Sequence, residues 1–387
     1  MTQRILEPGA ILGMLGGGQL GAMFAAAARR MGYGVAVWDP DSDAPAHQAA
    51  THSFTAPFSD PTSREQFASI VQAITLEWEN IPADLCARLE ESRSVNPSSR
   101  VLRTIQDRIA QKQFLSSRQL PVPAFAVVES ADDLSAAISR LGLPVVCKTA
   151  MSGYDGKGQW ILRTSGDVKR MDTLLASAGS GQRWIAEQFI TFVRELSALV
   201  VRNNSGEFKI YPVVENRHEQ GILRETCVPA SVDPDIAEQA RELSSQAITA
   251  LEGVGVFCVE LFHTEDGSLL INEIAPRPHN SGHYTLDVCT VSQFEQQVRV
   301  VCGLPLGEAR LLSPAVMVNM VGDDVRLVMS AEGCASLCST PGAVLHLYGK
   351  RVIRSGRKMG HVTFTGQQME LVKAEAQKFI AGLGRTF

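Results

Sequence analysis

Four stretches of the chain hold residue types at spacings that can do chemistry. GMLGGGQLG places Gly16, Gly18 and Gly21 in G-x-G-x-x-G spacing, and the next apolar run closes on Asp39. SGYDGKGQ (Ser152 to Gln159) follows the apolar run LPVVCK that ends at Lys148. VFCVELFHTEDGSLLINEIAPRPHNSGH carries Glu260, Asn272, Glu273, Arg277, His279 and Asn280, and YGKRVIRSGRKMGH near the end carries Lys350, Arg357 and Lys358.

Each stretch has a chemical reading and a plainer one. A glycine turn between strand and helix offers backbone N–H groups to an anion at a helix N-terminus. With Asp39 placed to accept from a ribose hydroxyl, the first turn also fits a dinucleotide site. It implies a phosphate without saying which, and a tight packing turn remains the alternative. SGYDGKGQ is equally a hairpin turn or a phosphate cradle. The third stretch is more specific, because Asp266-Gly267 is a favoured pair for a two-residue hairpin turn. That turn sets Glu260 directly across from Glu273. Like charges facing each other between strands of Val, Phe, Leu and Ile are costly, so a cation belongs between them. Mg²⁺ fits, since it takes one or two carboxylates and leaves its other positions to water and phosphate. Asn272 adds an oxygen only if the strand bends. Protonation of one glutamate, or pairing with a base such as Arg277, is the competing account. A carboxylate pair and a phosphate cradle together make a nucleotide site.

These residues need elements to position them. Between residues 10 and 105, AILGMLG, GVAVWD and AITLEWE alternate with helical stretches, the pattern of a doubly wound parallel sheet. The segment from NPSSRVLRTIQDR to LPVP reads as one capped helix, and a boundary falls near Thr104. Hairpin signals in VRNNSGEFKIY and FHTEDGSLL, mixed with helices, make 105–310 an α+β domain. Residues 311–387 form a small β-rich third domain with a final helix from about Gly366. The 387 residues carry 36 basic and 41 acidic side chains, a net charge of −5, which argues against a general nucleic-acid binder. The eight cysteines include no C-x-x-C and sit largely in apolar runs, as in a reduced protein. No signal pattern and no stretch of about 18 apolar residues appears, so a cytoplasmic protein without a membrane span is expected.

The order of these pieces resembles the ATP-grasp superfamily, whose members join a carboxylate to an amine through an acyl phosphate at the expense of ATP. Within it, GGGQLG, LEWENIP, GYDGKGQ, NEIAPRPHNSGH and YGK followed by SGRKMGH look like the 5-(carboxyamino)imidazole ribonucleotide synthetase family of purine biosynthesis, over about residues 10 to 365. The resemblance implies an ATP-grasp fold with an N-terminal Rossmann-like domain over 1–104, an ATP-grasp domain over 105–310 and a C-terminal domain over 311–387. It implies ATP with Mg²⁺, bicarbonate and aminoimidazole ribonucleotide as substrates, and a homodimer. In these relatives the second glycine loop is a flexible lid over the triphosphate. Carried across, Gly153, Tyr154, Asp155, Gly156, Lys157, Gly158 and Gln159 contact phosphate, with Lys148 and Arg108 adding charge. Glu187, Gln188, Phe189 and Ile190 hold adenine, Glu195 the ribose, and His218 lies along the nucleotide. Glu260, Asn272 and Glu273 ligate the metal; Arg277 and His279 hold bicarbonate and the acyl phosphate. Gln19, Leu20, Glu79, Asn280, Lys350, Arg357 and Lys358 take the ribonucleotide, with the basic trio on its 5′-phosphate and Glu79 accepting from its amine. On this reading Asp39 loses its cofactor role. Three alternatives stand beside it: a formate-dependent glycinamide ribonucleotide transformylase, an NAD-dependent oxidoreductase and a nucleotide-binding protein without turnover.

Overall fold

The computed structural model describes residues 5–151, 153, 158–177 and 181–384. Its first sheet is parallel, with β1 (Ile11–Leu15), β2 (Gly34–Trp38), β3 (His52–Phe54), β4 (Ala73–Leu76) and β5 (Ser94–Asn96) in the order β3-β2-β1-β4-β5. The helices α1 (Gln19–Arg30), α2 (Pro61–Ile70) and α3 (Ala83–Glu90) connect the strands. Central strands of a sheet covered on both faces bury nearly all their side chains, which is why β1, β2 and β4 read as largely apolar runs. Trp38, Phe67 and Ile74 fill one face, and Leu12, Met14 and Phe24 fill the other.

The helix expected after Asn96 is two helices, α4 (Ser99–Gln106) and α5 (Arg108–Ser117). Between them Asp107 is extended (φ −101°, ψ 111°), and its carboxylate accepts from the backbone N–H groups of Ile109 and Ala110. An aspartate that caps the following turn ends one helix and starts the next.

A four-stranded antiparallel sheet follows, β6 (Phe125–Val128), β7 (Val145–Thr149), β8 (Gln159–Leu162) and β9 (Trp184–Gln188), in the order β6-β9-β7-β8. The helices α6 (Ala131–Leu141) and α7 (Ser165–Ser177) pack on it around Leu134, Cys147 and Met171. Next come β10 (Phe192–Arg202), β11 (Phe208–Ile210), β12 (Val214–Glu219), β13 (Ile222–Val228), the long helix α8 (Pro234–Leu251), β14 (Gly255–Thr264) and β15 (Leu269–Ala275). After the short α9 (Thr285–Val288) and α10 (Gln293–Cys302), the chain adds β16 (Ala315–Val321), α11 (Arg326–Met329), α12 (Ala331–Cys338), β17 (Ala343–Leu347), β18 (Lys358–Thr365) and α13 (Met369–Gly382).

The strands after residue 311 do not form a sheet of their own. β13 pairs with β16 from Glu225↔Val318 to Val228↔Ala315, giving one sheet in the order β15-β14-β10-β12-β13-β16-β18-β17. In turn α10 places Phe294 and Val298 in one cluster with Phe24 of α1 and Leu12 of β1. All eight cysteines are free thiols, and burial pushes those of Cys86 and Cys147 up to about 12. Among the described residues, no helix is long and apolar enough to cross a membrane.

Candidate active site

The three sheets meet around a cleft of about 850 Å³. Its lining includes the carboxylate pair on β14 and β15, Lys148 on β7, Glu187 on β9, the N-terminal end of α1 and the basic residues before β18.

The carboxylate pair forms as expected, by a different route. The loop has three residues, not two: Thr264 N–H donates to Ser268 O (3.0 Å), and Gly267 sits at φ +82°, where glycine is favoured. That loop pairs His263 with Leu269, Phe262 with Leu270 and Leu261 with Ile271. Carried on, it would put Asn272 opposite Glu260 and turn Glu273 to the other face. A bulge intervenes, so Glu260 pairs with Glu273 and Asn272 is the extra residue. The bulge supplies the bend that Asn272 needed, and Asn272, Glu273 and Glu260 all line the cleft.

Electrostatics mark the pair as strained. Burial, with the Glu273 charge adding to it, raises the Glu260 pKa to about 7. Asn272 Oδ1 is buried without a hydrogen-bond partner. Two facing carboxylates and an unclaimed amide oxygen are a hard-oxygen donor set suited to Mg²⁺. His279 Nε2 lies 3.2 Å from Glu260 Oε1. Burial and the Arg277 charge hold His279 well below the usual histidine range, so its ring is neutral. Its Nδ1 accepts from Ser281 N–H (3.3 Å), which leaves the ring proton on Nε2, facing Glu260. Arg277 pairs with neither member. Its guanidinium instead makes a two-bond fork with Glu79, one of the bonds 3.0 Å long, and this partner keeps Glu79 low against the burial that would raise it.

Elsewhere on the cleft wall, Glu187 is 3% exposed and ion-paired with two lysines, Lys148 at 2.6 Å and Lys112 at 3.4 Å. Burial alone would raise its pKa; the two ammonium groups bring it down to about 2. Sequence reasoning missed Lys112. Its only signal was position, one residue after Gln111 in a helix that otherwise reads as a capped connector. Arg108, the first residue of α5, donates to Thr149 O (3.3 Å) and Gly153 O (2.6 Å) at the base of the second glycine loop. Gly158 has φ +74°, and a Cβ there would meet Thr149 Oγ1 at 2.7 Å. Ser152, Tyr154, Asp155, Gly156 and Lys157 lie outside the described residues. Gln159, Gln188, Phe189 and Ile190 line the cleft. Glu195 Oε2 bonds His218 Nδ1 (2.8 Å), and that bond, with the charge of Glu260, raises the His218 pKa against its burial. Phe192 and Phe262, also on the wall, stack at 4.9 Å and 5°, a flat apolar surface the sequence did not single out.

The first glycine loop is not an open phosphate cradle. Gly17 N–H donates to Asp39 Oδ2 (2.6 Å), and Gly18 and Gly21 N–H donate to the two oxygens of Glu77 (2.5 and 2.9 Å). A Cβ on Gly16 would lie 2.6 Å from Glu77 Cγ, and one on Gly18 would lie 2.6 Å from Glu77 Oε1. The anion expected there is present, as the chain's own carboxylates. Gln19 and Leu20, between Gly18 and Gly21 at the start of α1, do line the cleft, with Glu79, Asn280, Lys350, Arg357 and Lys358. Asn280 is 5% exposed, and both its amide atoms lack partners. Lys350 Nζ donates to Lys358 O (2.7 Å), tying the two ends of the basic loop together.

Asp287, His346 and His361 also bring ligand atoms within 4.8 Å of one another. Their geometry is that of a packed stack: the two imidazoles lie 4.4 Å apart and 13° from parallel, so their in-plane lone pairs do not converge. His346 Nε2 bonds Asp287 (3.0 Å), and Tyr348 Oη bonds His361 Nδ1 (2.9 Å), joining α9 to the β17–β18 hairpin.

Comparison with known proteins accounts for nearly the whole chain. Residues 10–106 match the ribonucleotide synthetase preATP-grasp domain, 113–294 the ATP-grasp domain, and 315–375 the phosphoribosylaminoimidazole carboxylase C-terminal domain. An N5-carboxyaminoimidazole ribonucleotide synthase of Bacillus subtilis is 43% identical over 367 residues, covering 95% of this chain and 94% of the relative. The crystal structure of an N5-carboxyaminoimidazole ribonucleotide synthetase with ADP superposes with a TM-score of 0.93 at 39% identity, over 99% of this chain and 100% of the other. The N5-carboxyaminoimidazole synthase of Aspergillus clavatus, in complex with ADP and 5-aminoimidazole ribonucleotide, gives a TM-score of 0.89 at 30% identity, over 98% of this chain and 100% of the other. With its fold, its carboxylate pair and its three family domains in order, the chain belongs to the N5-carboxyaminoimidazole ribonucleotide synthase family of ATP-grasp ligases.

Proposed function

We propose that this cleft divides the family's reaction, ATP-dependent carboxylation of 5-aminoimidazole ribonucleotide in purine biosynthesis, among its walls as follows. Bicarbonate attacks the γ-phosphate of ATP, the resulting carboxyphosphate delivers its carboxyl group to the exocyclic amine, and ADP and phosphate leave. Glu187 and the backbone through Ile190 hold adenine, Glu195 accepts from the ribose hydroxyls, and His218 braces Glu195. Lys148, Arg108 and the second glycine loop neutralise and position the phosphates, the main requirement in phosphoryl transfer. Glu260, Glu273 and Asn272 would hold Mg²⁺, which neutralises phosphate charge when bound.

Arg277 and His279 face bicarbonate and the acyl phosphate. A guanidinium offers a planar oxyanion two parallel donors, and neutral His279, its one ring proton directed at Glu260, lines the site without adding charge. Because Glu79 is already bonded to Arg277, the group read as accepting from the substrate amine is coupled to the group read as holding the carboxyl donor. Lys350, Arg357 and Lys358 grip the 5′-phosphate, with Gln19, Leu20 and Asn280 beside them.

The observation that carries this reading is the Glu260–Glu273 pair with the unclaimed oxygen of Asn272, in one cleft with the Lys148–Glu187 pair. The test is ADP release from ATP with 5-aminoimidazole ribonucleotide and bicarbonate, against glycinamide ribonucleotide and formate. Release with the first pair alone is expected; release with the second would overturn the substrate assignment. A homodimer and a cytoplasmic location belong to the same reading, checked by sedimentation and by cell fractionation.

A further inference from the structure

β15 is the outermost strand of its sheet, so one row of its backbone groups has no strand partner. That row is held mainly by α5, with Ile271 N–H donating to Pro121 O beyond the helix (2.8 Å). Gln111 Oε1 accepts from Ile274 N–H (3.0 Å), and Gln111 Nε2 approaches Ile274 O at 3.5 Å. Lys112 Nζ donates to Ile271 O (3.2 Å) and Asn272 O (2.7 Å). The contacts therefore fall on both sides of the bulge, with Glu273 between them. Lys112 is 2% exposed, and burying an ammonium ion is costly unless its partners are well placed. Among the described residues, Lys112 Nζ bonds these two carbonyls and lies beside Glu187.

The loop at Gly267 alone would set Asn272 across from Glu260, and only the bulge turns Glu273 into the cleft. We propose that Gln111 and Lys112 are positioning residues that lock the β15 bulge and so keep Glu273 opposed to Glu260. Lys112, shared with Glu187, ties the strand read as binding metal to the wall read as binding adenine. The proposal rests on the metal reading above for its consequence, but the clamp itself is a statement about backbone geometry.

Two readouts on the full chain test it. In the unaltered protein the Ile274 amide is expected to exchange with solvent slowly, although it lies on a sheet edge. In Gln111→Leu it is expected to exchange at least about tenfold faster, the worth of one lost hydrogen bond. Mn²⁺ is then titrated with ADP by calorimetry. Gln111→Leu is expected to lose at least about tenfold of the strengthening that Mn²⁺ gives ADP, as for other groups that orient metal ligands, with metal-free ADP binding kept. Lys112→Met is expected to lose that strengthening and weaken metal-free ADP as well, since Glu187 loses a partner. Fast exchange at Ile274 in the unaltered protein overturns the clamp even if neither variant folds, and an unchanged Mn²⁺ effect in Gln111→Leu overturns its positioning role. Should Glu273→Ala keep the full Mn²⁺ effect, the metal reading fails while the exchange result still judges the clamp.

Discussion

Glu187 shows how much a single residue's role depends on partners far away in sequence. Its carboxylate sits between Lys148, which the position before the glycine loop made legible, and Lys112, which nothing nearby in sequence marked. Its folded pKa of about 2 lies below the usual glutamate value of 4.5, so the stability it contributes is present above that value and lost as pH falls toward 2. Denaturant titrations between pH 5 and pH 2.5 are expected to show a steeper acid loss for the parent than for Glu187→Gln; parallel curves would contradict the ion triad. At the other end of the cleft, Lys350→Met is expected to raise KM for the ribonucleotide by about tenfold or more while ATP binding is kept, the usual size for a lost charged contact. A fall in ATP affinity alone would mean that the basic loop is misassigned.

At the scale of elements, two expectations came from correct physics applied to the wrong local geometry. The glycine loop was read as binding an anion, and it does, but Glu77 lies 56 residues beyond Gly21 and no spacing rule joins them. The hairpin was given a two-residue turn; the extra loop residue and the Asn272 bulge offset each other, so the facing glutamates survived the error. A bulge leaves no reliable mark in a strand's alternation, and only the structure reveals this one. Gly16 tests the first case: at φ +94°, with Glu77 Cγ 2.6 Å from any Cβ, Gly16→Ala is expected to destabilise the protein. The cost should be about 1–3 kcal/mol in urea denaturation, and a change under about 0.5 kcal/mol would contradict the carboxylate-filled turn.

For the whole molecule, the parallel first sheet was legible because buried strands and amphipathic helices alternate strongly in sequence. The joining of the C-terminal strands to the central sheet was not, since strand pairing between distant segments has no local signal. Leu223, Val228, Tyr284, Ala315 and Met317 form one core cluster across the expected boundary at 310/311. Removing residues 313–387 strips β16 from β13 and exposes an apolar edge. The shortened chain is expected to aggregate on expression. A soluble, ADP-binding product of full affinity would show instead that the segments are energetically separate.

Two glutamates that face each other on β14 and β15 carry the proposed chemistry. Its most direct measurement is bicarbonate-dependent ADP formation by Glu273→Ala, with circular dichroism to confirm the fold. The expected result is a fall of at least about a hundredfold, the scale at which lost electrostatic stabilisation shows in phosphoryl transfer, with the spectrum unchanged. Near-normal turnover in that folded variant would contradict the metal site and the mechanism built on it.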